Sequence, residues 1–495
     1  MYTDSLYITE RFEEQRSKLA QIKSTFIRLA QNIKTNQEIS QFETPSILYS
    51  GKFCERVLRI IDRFERDLDN LDVADIDIIN DDGNHVRQHR NLTMNIATLM
   101  KILASFQLLY DQRISGSRSL KIVEYQPSMQ SEYGLMGKVY NAVDALSYQL
   151  MESCFGEDWV KERQYVPLSL FGHDYSILQL SKIEPSSLIT IPYYDCFRAR
   201  FWPGLAHEVA HSMVAIATTK NLNPYFNSSL HDCMEDEVSI LIDTLFIDLS
   251  ERNDLKNAED SIGNQIIEIV SDIVATYVCG PASLFSASNM LSFSSRHGYD
   301  TFFDAVRYSS HPPIELRVAA MQEVLRLERI DSYYPYFKEI TKCMMHVLKG
   351  KNITKQDTVS NMDGTYSLQS CTFDQSQLPI LIHDFEKEVK LFVREILDIL
   401  QNSNNNMVQF NRIKWKNITD TIENGSLSEL KTPIELMNVA WLVRLKKDMY
   451  DRNLSTKQTF DKRKSEMKLF DTLVHFMYRY YEDDVVGKVR EYSNI

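Results

Sequence analysis

The chain reads as an α+β protein that is predominantly helical and holds one small antiparallel or mixed sheet. Long apolar stripes recur at helical period towards both ends of its 495 residues. Three short runs rich in β-branched and aromatic residues, broken by turn signals, sit together between 166 and 194. Hydrophobic residues at 43% and charged residues at 25% match an ordinary globular chain, which excludes a disordered or collagenous one.

In chain order, helical segments are expected at Ile8–Ile33, Ser46–Leu71 and His85–Ile114, separated by polar breaks such as Asp81-Asp82-Gly83-Asn84. The strand candidates follow at Val166–Phe171, Tyr175–Leu180 and Leu188–Tyr194. Helices return from Trp202 onward and continue beyond Asp331, interrupted by a polar loop from Asn352 to Ser376. This order divides the chain into an N-terminal helical domain (1–160), a central domain (161–330) and a C-terminal helical domain (331–495).

A net charge of −13 would repel a phosphate backbone, so no nucleic-acid partner is expected. The opening residues lack the basic and apolar regions of a signal peptide, and the seven cysteines are scattered without a Cys-x-x-Cys pair. Both features fit free thiols and a cytoplasmic address. The longest uncharged stretch, Ile273–Ser295, contains Gly280-Pro281, Asn289 and six serines, so no membrane span is expected. The basic run Lys462-Arg463-Lys464 reads as the solvated face of a charged helix.

Chemistry concentrates in the segment following Phe201-Trp202-Pro203, where His207-Glu208-Val-Ala-His211 lies among good helix formers. Residues four apart share a helix face, so both imidazoles can address one tetrahedral zinc ion. Glu208 projects about 100° round the helix from His207, near enough to serve a water as general base without ligating the metal. By composition this pattern arises by chance about 0.02 times in such a chain.

A third ligand is then needed. Glu268 and Asp272, again four apart, are embedded among Ile266, Ile267, Ile269, Val270, Ile273 and Val274 on a segment that ends at Gly280-Pro281. Buried carboxylates are costly without a cation or strong donors, so Glu268 is the candidate ligand. Asp272 is placed to accept the free N–H of a ligating histidine. An ordinary helix with both acids in solvent is the alternative. Further on, His311-Pro312-Pro313 opens an amphipathic helix, Ile314–Leu327, that carries Arg317. His311 and Arg317 could each donate to a developing oxyanion or hold helices together by pairing with a carboxylate.

In this order the three pieces, His-Glu-x-x-His, Glu-x-x-x-Asp before Gly-Pro, and His-Pro-Pro-x-x-x-Arg, resemble the gluzincin family of the CAAX prenyl proteases and HtpX. The resemblance covers about Ser187 to Leu327. It implies a zincin-like metallopeptidase core and one Zn²⁺ per chain, held by His207, His211 and Glu268. Glu208 would be the base, Asp272 would support a histidine, and His311 and Arg317 would lie near the substrate carbonyl. Well-known members are multi-span membrane enzymes, and this chain resembles the soluble relatives. The expectation is zinc-dependent hydrolysis of a peptide or protein substrate. The Leu188–Tyr194 strand could be the sheet edge along which an extended peptide adds, and a plain structural strand is equally consistent. The alternative is an inactive, zinc-stabilised interaction protein that binds a partner through its helical regions.

Overall fold

Apolar residues spaced alternately three and four apart bury one stripe of a helix, and the first helices of this chain follow that rule. In the computed structural model the described residues are 2–40, 45–70, 84–109, 130–162, 167–172, 175–179, 187–192, 202–217, 229–245, 252–293, 311–330, 378–402, 409–410, 413–418, 432 and 434–441. The Asn352–Ser376 loop and the Lys462-Arg463-Lys464 run lie outside them. The chain divides into two compact units. One comprises Met1–Tyr148, Arg163–Tyr193 and Tyr478–Ile495, and the other Gln149–Glu162 and Tyr194–Met477. The architecture is mostly helical with one small mixed sheet.

In the first unit, helix α1 (Tyr2–Ser40) turns Leu19, Ile22, Phe26, Leu29 and Ile33 inward against α2 (Pro45–Asn70) and α3 (Asn84–Leu109). Phe53 of α2 stacks on Phe106 of α3 with ring centroids 5.0 Å apart, and Phe26 lies 5.8 Å from the same ring. Each such side chain, fully buried, contributes about 1.5–3 kcal/mol.

Helix α4 (Gln130–Phe155) ends at Gly156, whose φ of 86° lets α5 (Glu157–Glu162) start at once. Strands β1 (Pro167–Gly172), β2 (Ser176–Gln179) and β3 (Ser187–Pro192) assemble in the order β1-β3-β2. β1 runs parallel to β3 in the register Pro167↔Ser187, and β2 pairs antiparallel with it at Ser176↔Thr190. The buried Asp144 carboxylate accepts from the Ser169 N–H at 2.9 Å and from its hydroxyl at 2.6 Å, which ties α4 to β1. One sequence expectation is corrected here. β3 is the central strand with a partner on each side, so it offers no edge along which a peptide could add.

The second unit is organised around α8 (Arg252–Cys279). Helices α6 (Gly204–Ala217), α7 (Ser229–Leu245), α9 (Pro281–Phe293), α10 (Ile314–Leu327) and α11 (Leu378–Asn402) all pack against it. Its stretch Ser261–Cys279 is long and apolar enough to cross a membrane by composition, yet 78% of it is buried inside the protein, as in a core helix. Helix α6 packs against it, and Ala206, Val209, Ala210 and Met213 of α6 and Ile266, Ile269, Val270 and Ile273 of α8 are all buried.

The Gly-Pro signal is a turn between two helices rather than a stop. Gly280 has a φ of 66°, α9 starts at Pro281, and a β-carbon at 280 would collide with the Phe410 ring. Residues 409–410 and two short helices, 413–418 and 434–441, close this end. Phe410 N–H donates to the Tyr277 carbonyl at 2.8 Å. Asn438 donates from Nδ2 to the Cys279 carbonyl and accepts at Oδ1 from the Ala282 N–H. On the opposite flank Glu323 of α10 accepts from Arg326 and from Arg394 of α11. The expectation of unpaired thiols holds for Cys54, Cys154, Cys233 and Cys279, all free, and burial pushes the Cys154 thiol up to about 12.

Glu237 of α7 is buried where α7 meets α11, with one carboxylate oxygen lacking a hydrogen-bond partner. Burial, reinforced by the charges of Glu388 and Glu395, pushes its carboxyl up to about 8 from 4.5. Between those values the folded chain binds a proton that the unfolded chain has released, so stability falls as pH rises through this window. Thermal unfolding followed from about pH 5 to 9 should show that decline. Glu237→Gln should flatten it and raise the melting temperature at the alkaline end.

Candidate metal centre

The Trp202-Pro203 turn starts α6, with Leu205 N–H donating to the Trp202 carbonyl at 2.9 Å and Ala206 N–H to that of Pro203 at 3.0 Å. Pro203 fits this first turn because its missing N–H would have no partner there. One turn later His207 and His211 leave the same helix face towards α8. From α8 come Glu268, Ser271 and Asp272, spaced i, i+3 and i+4 and therefore on one face as well.

The structure brings the three expected ligands together. His211 Nε2 lies 3.0 Å from His207 Nε2, Glu268 Oε2 lies 3.2 Å from His207 Nε2, and Glu268 Oε1 lies 3.3 Å from His211 Nε2. A tetrahedral zinc with bonds near 2.05 Å sets its ligand atoms about 3.3 Å apart, so the spacing suits that ion. The chemistry of the set agrees. Two imidazole nitrogens and a carboxylate oxygen gathered this closely could hold a metal ion. Among the described residues one other trio gathers in this way, His231, Asp232 and Glu235 near the start of α7, but its carboxylates stand in solvent at 57% and 72% exposure. Solvated acids need no cation.

Asp272 occupies the expected position behind His207, with Oδ1 2.9 Å from Nδ1. The ring N–H is not aimed along that line, so the contact is an ion-pair approach rather than an aligned hydrogen bond. Of the two roles open to Arg317, the geometry shows carboxylate pairing. Its Nε donates to Asp272 Oδ2 at 2.6 Å and its Nη2 to Oδ1 at 3.0 Å, a buried two-pronged contact. Nη2 also lies 3.6 Å from Glu268 Oε2. Arg317 thus holds the carboxylates of α8 from α10. His311 stands apart from it, 44% exposed, with Nε2 3.6 Å from Glu268 Oε1, on a chain stiffened by the buried Pro312 and Pro313. Glu208 is half-buried on the next face of α6. Ser271 is a member of the site that sequence reasoning misses. Its buried hydroxyl lies 3.2 Å from His211 Nδ1, and its one signal in the sequence is a polar residue inside an Ile/Val run, adjacent to Asp272.

The electrostatics follow from two buried acids facing one fixed guanidinium. Burial opposes ionisation of Glu268, but hydrogen bonds from His207 and His211 and the nearby positive charges outweigh it, holding the carboxyl well below the usual range. Asp272 is likewise lowered: burial works against it, and the Arg317 and His207 charges prevail. For His207, burial pulls downward while the Asp272 charge and the Glu268 hydrogen bond push harder, so protein groups alone raise the imidazole to about 10. The site therefore attracts positive charge. A proton can supply part of it, and a dication supplies more.

Replacing Arg317 by Met should leave Asp272 and Glu268 without their fixed counter-charge, at a cost of about 3–5 kcal/mol. Denaturant unfolding of the variant should show this loss, and a change within error of zero would mean the ion pair is not the clamp. Compared with protein-family models, with curated proteins and with solved structures, the chain finds no match.

Proposed function

We propose that the chain is a zinc-dependent metallopeptidase with a zincin-like, gluzincin-type core, hydrolysing peptide bonds with Glu208 as general base. The carrying observation is the convergence of His207, His211 and Glu268 from two helices at the spacing a tetrahedral ion requires. Bound zinc would supply Lewis acidity towards a carbonyl and lower the pKa of a water to about 7. The rest is work for this chain's side chains. His207 and His211 hold the ion through Nε2 and Glu268 through its carboxylate, while Asp272 and Arg317 keep His207 and α8 in place. Glu208, on the same helix but a different face, takes a proton from the attacking water and returns it to the leaving amine.

His311 is a half-exposed polar group beside Glu268. Its half-exposed ring and its approach to Glu268 favour it over Arg317 as the donor to the carbonyl oxygen of a substrate, because both forks of Arg317 are committed to Asp272. Among the described residues no fourth ligand joins the trio, His311 included. Glu208 counts against the alternative reading, a zinc-stabilised interaction protein, since a structural zinc calls for four protein ligands and has no use for a general base. A peptide or protein is the substrate, and a cytoplasmic address without nucleic-acid partners fits the charge and the free thiols.

Glu208→Gln should retain one zinc per chain and lose peptidase activity by about 10²-fold or more, whereas His211→Ala should lose the metal as well. Metal analysis beside cleavage profiling of a peptide library reads both. Wild-type turnover by Glu208→Gln would remove the assigned base.

A further inference from the structure

The two histidines of the site are backed by unlike partners. Behind His207 stands a charged group, Asp272, itself fixed by Arg317. Behind His211 stands only the neutral hydroxyl of Ser271, fully buried and 3.2 Å from Nδ1. Both partners lie on α8, one residue apart, in the same turn as Glu268.

We propose that Ser271 is a positioning residue of the metal centre. It fixes the ring of His211 so that Nε2 faces the ligand cluster. This inference rests on the zinc reading above. For His211 to ligate through Nε2, its remaining proton must sit on Nδ1, where Ser271 Oγ, 3.2 Å away, is positioned to accept it. A third buried carboxylate at 271 would add negative charge to a turn that already holds Glu268 and Asp272 against one arginine, so a hydroxyl is the partner this helix can bury without further compensation. The i, i+3, i+4 spacing thus lets a single turn of α8 supply one ligand and the partners of the other two.

The test is zinc affinity of the full chain by chelator competition, with the absorption spectrum of the cobalt-substituted protein as a second readout. Ser271→Ala should weaken zinc binding by about 10–100-fold and alter the cobalt bands. Ser271→Thr, which restores a hydroxyl, should bring both back towards wild type. Should the alanine variant fold poorly, Ser271→Val, near-isosteric with Ser271→Thr but lacking its hydroxyl, should show the same loss. Wild-type zinc affinity together with an unchanged cobalt spectrum in Ser271→Ala or Ser271→Val would overturn the proposal. A wild-type chain that binds no metal overturns it together with the reading beneath it. Metal binding that depends on Ser271 in a chain that cleaves nothing supports this inference and fails the peptidase.

Discussion

Two carboxylates one turn apart on the same helix, Asp272 buried and Glu268 largely so, must be neutralised, and the second helical unit is arranged around that requirement. Glu268 and Asp272 sit on α8 among isoleucine and valine, where uncompensated charge would cost several kcal/mol each. Arg317 reaches in from α10 and satisfies Asp272 with two hydrogen bonds. The imidazoles of α6 face Glu268. Three helices are thereby fixed by polar contacts whose geometry is far less forgiving than that of the apolar surfaces around them.

The same arrangement places Arg317 and His207 opposite the two acids. The acids raise His207, and Arg317 and His207 in turn hold both carboxyls low. Proton and metal compete for the same lone pairs, which links the ionisation of the centre to its proposed loading. Rigidity comes from outside the centre. Pro312 and Pro313 stiffen the approach to α10, and Glu323 ties α10 to Arg394 of α11.

Much of this was legible in the sequence, for identifiable reasons. Helices α1 to α3, α6, α8 and α10 announce themselves by apolar spacing, and local periodicity survives any tertiary context. The trio His207, His211 and Glu268 was legible because i, i+4 spacing marks a helix face and because acids inside an Ile/Val run demand a partner. The central position of β3 was not, since strand order is decided by pairing between distant segments that no local pattern records. Nor was the choice of Arg317 between substrate and Asp272, which depends on the approach of α10 to α8. Ser271 escapes notice because a lone serine in a helix carries no signal until its neighbour across the interface is known. At Gly280-Pro281 the residues marked a break correctly but gave no sign that a second helix starts on the far side.

The junction after Cys279 bears on how such a protein is made. Its carbonyls and the first amide of α9 are satisfied by Phe410 and Asn438, the latter 156 residues downstream of Ala282. On a ribosome, α6, α8 and α10 emerge long before that asparagine does. The helices that carry the centre are thus synthesised with one end still unsealed, and the last stitch is set only once Asn438 has left the exit tunnel.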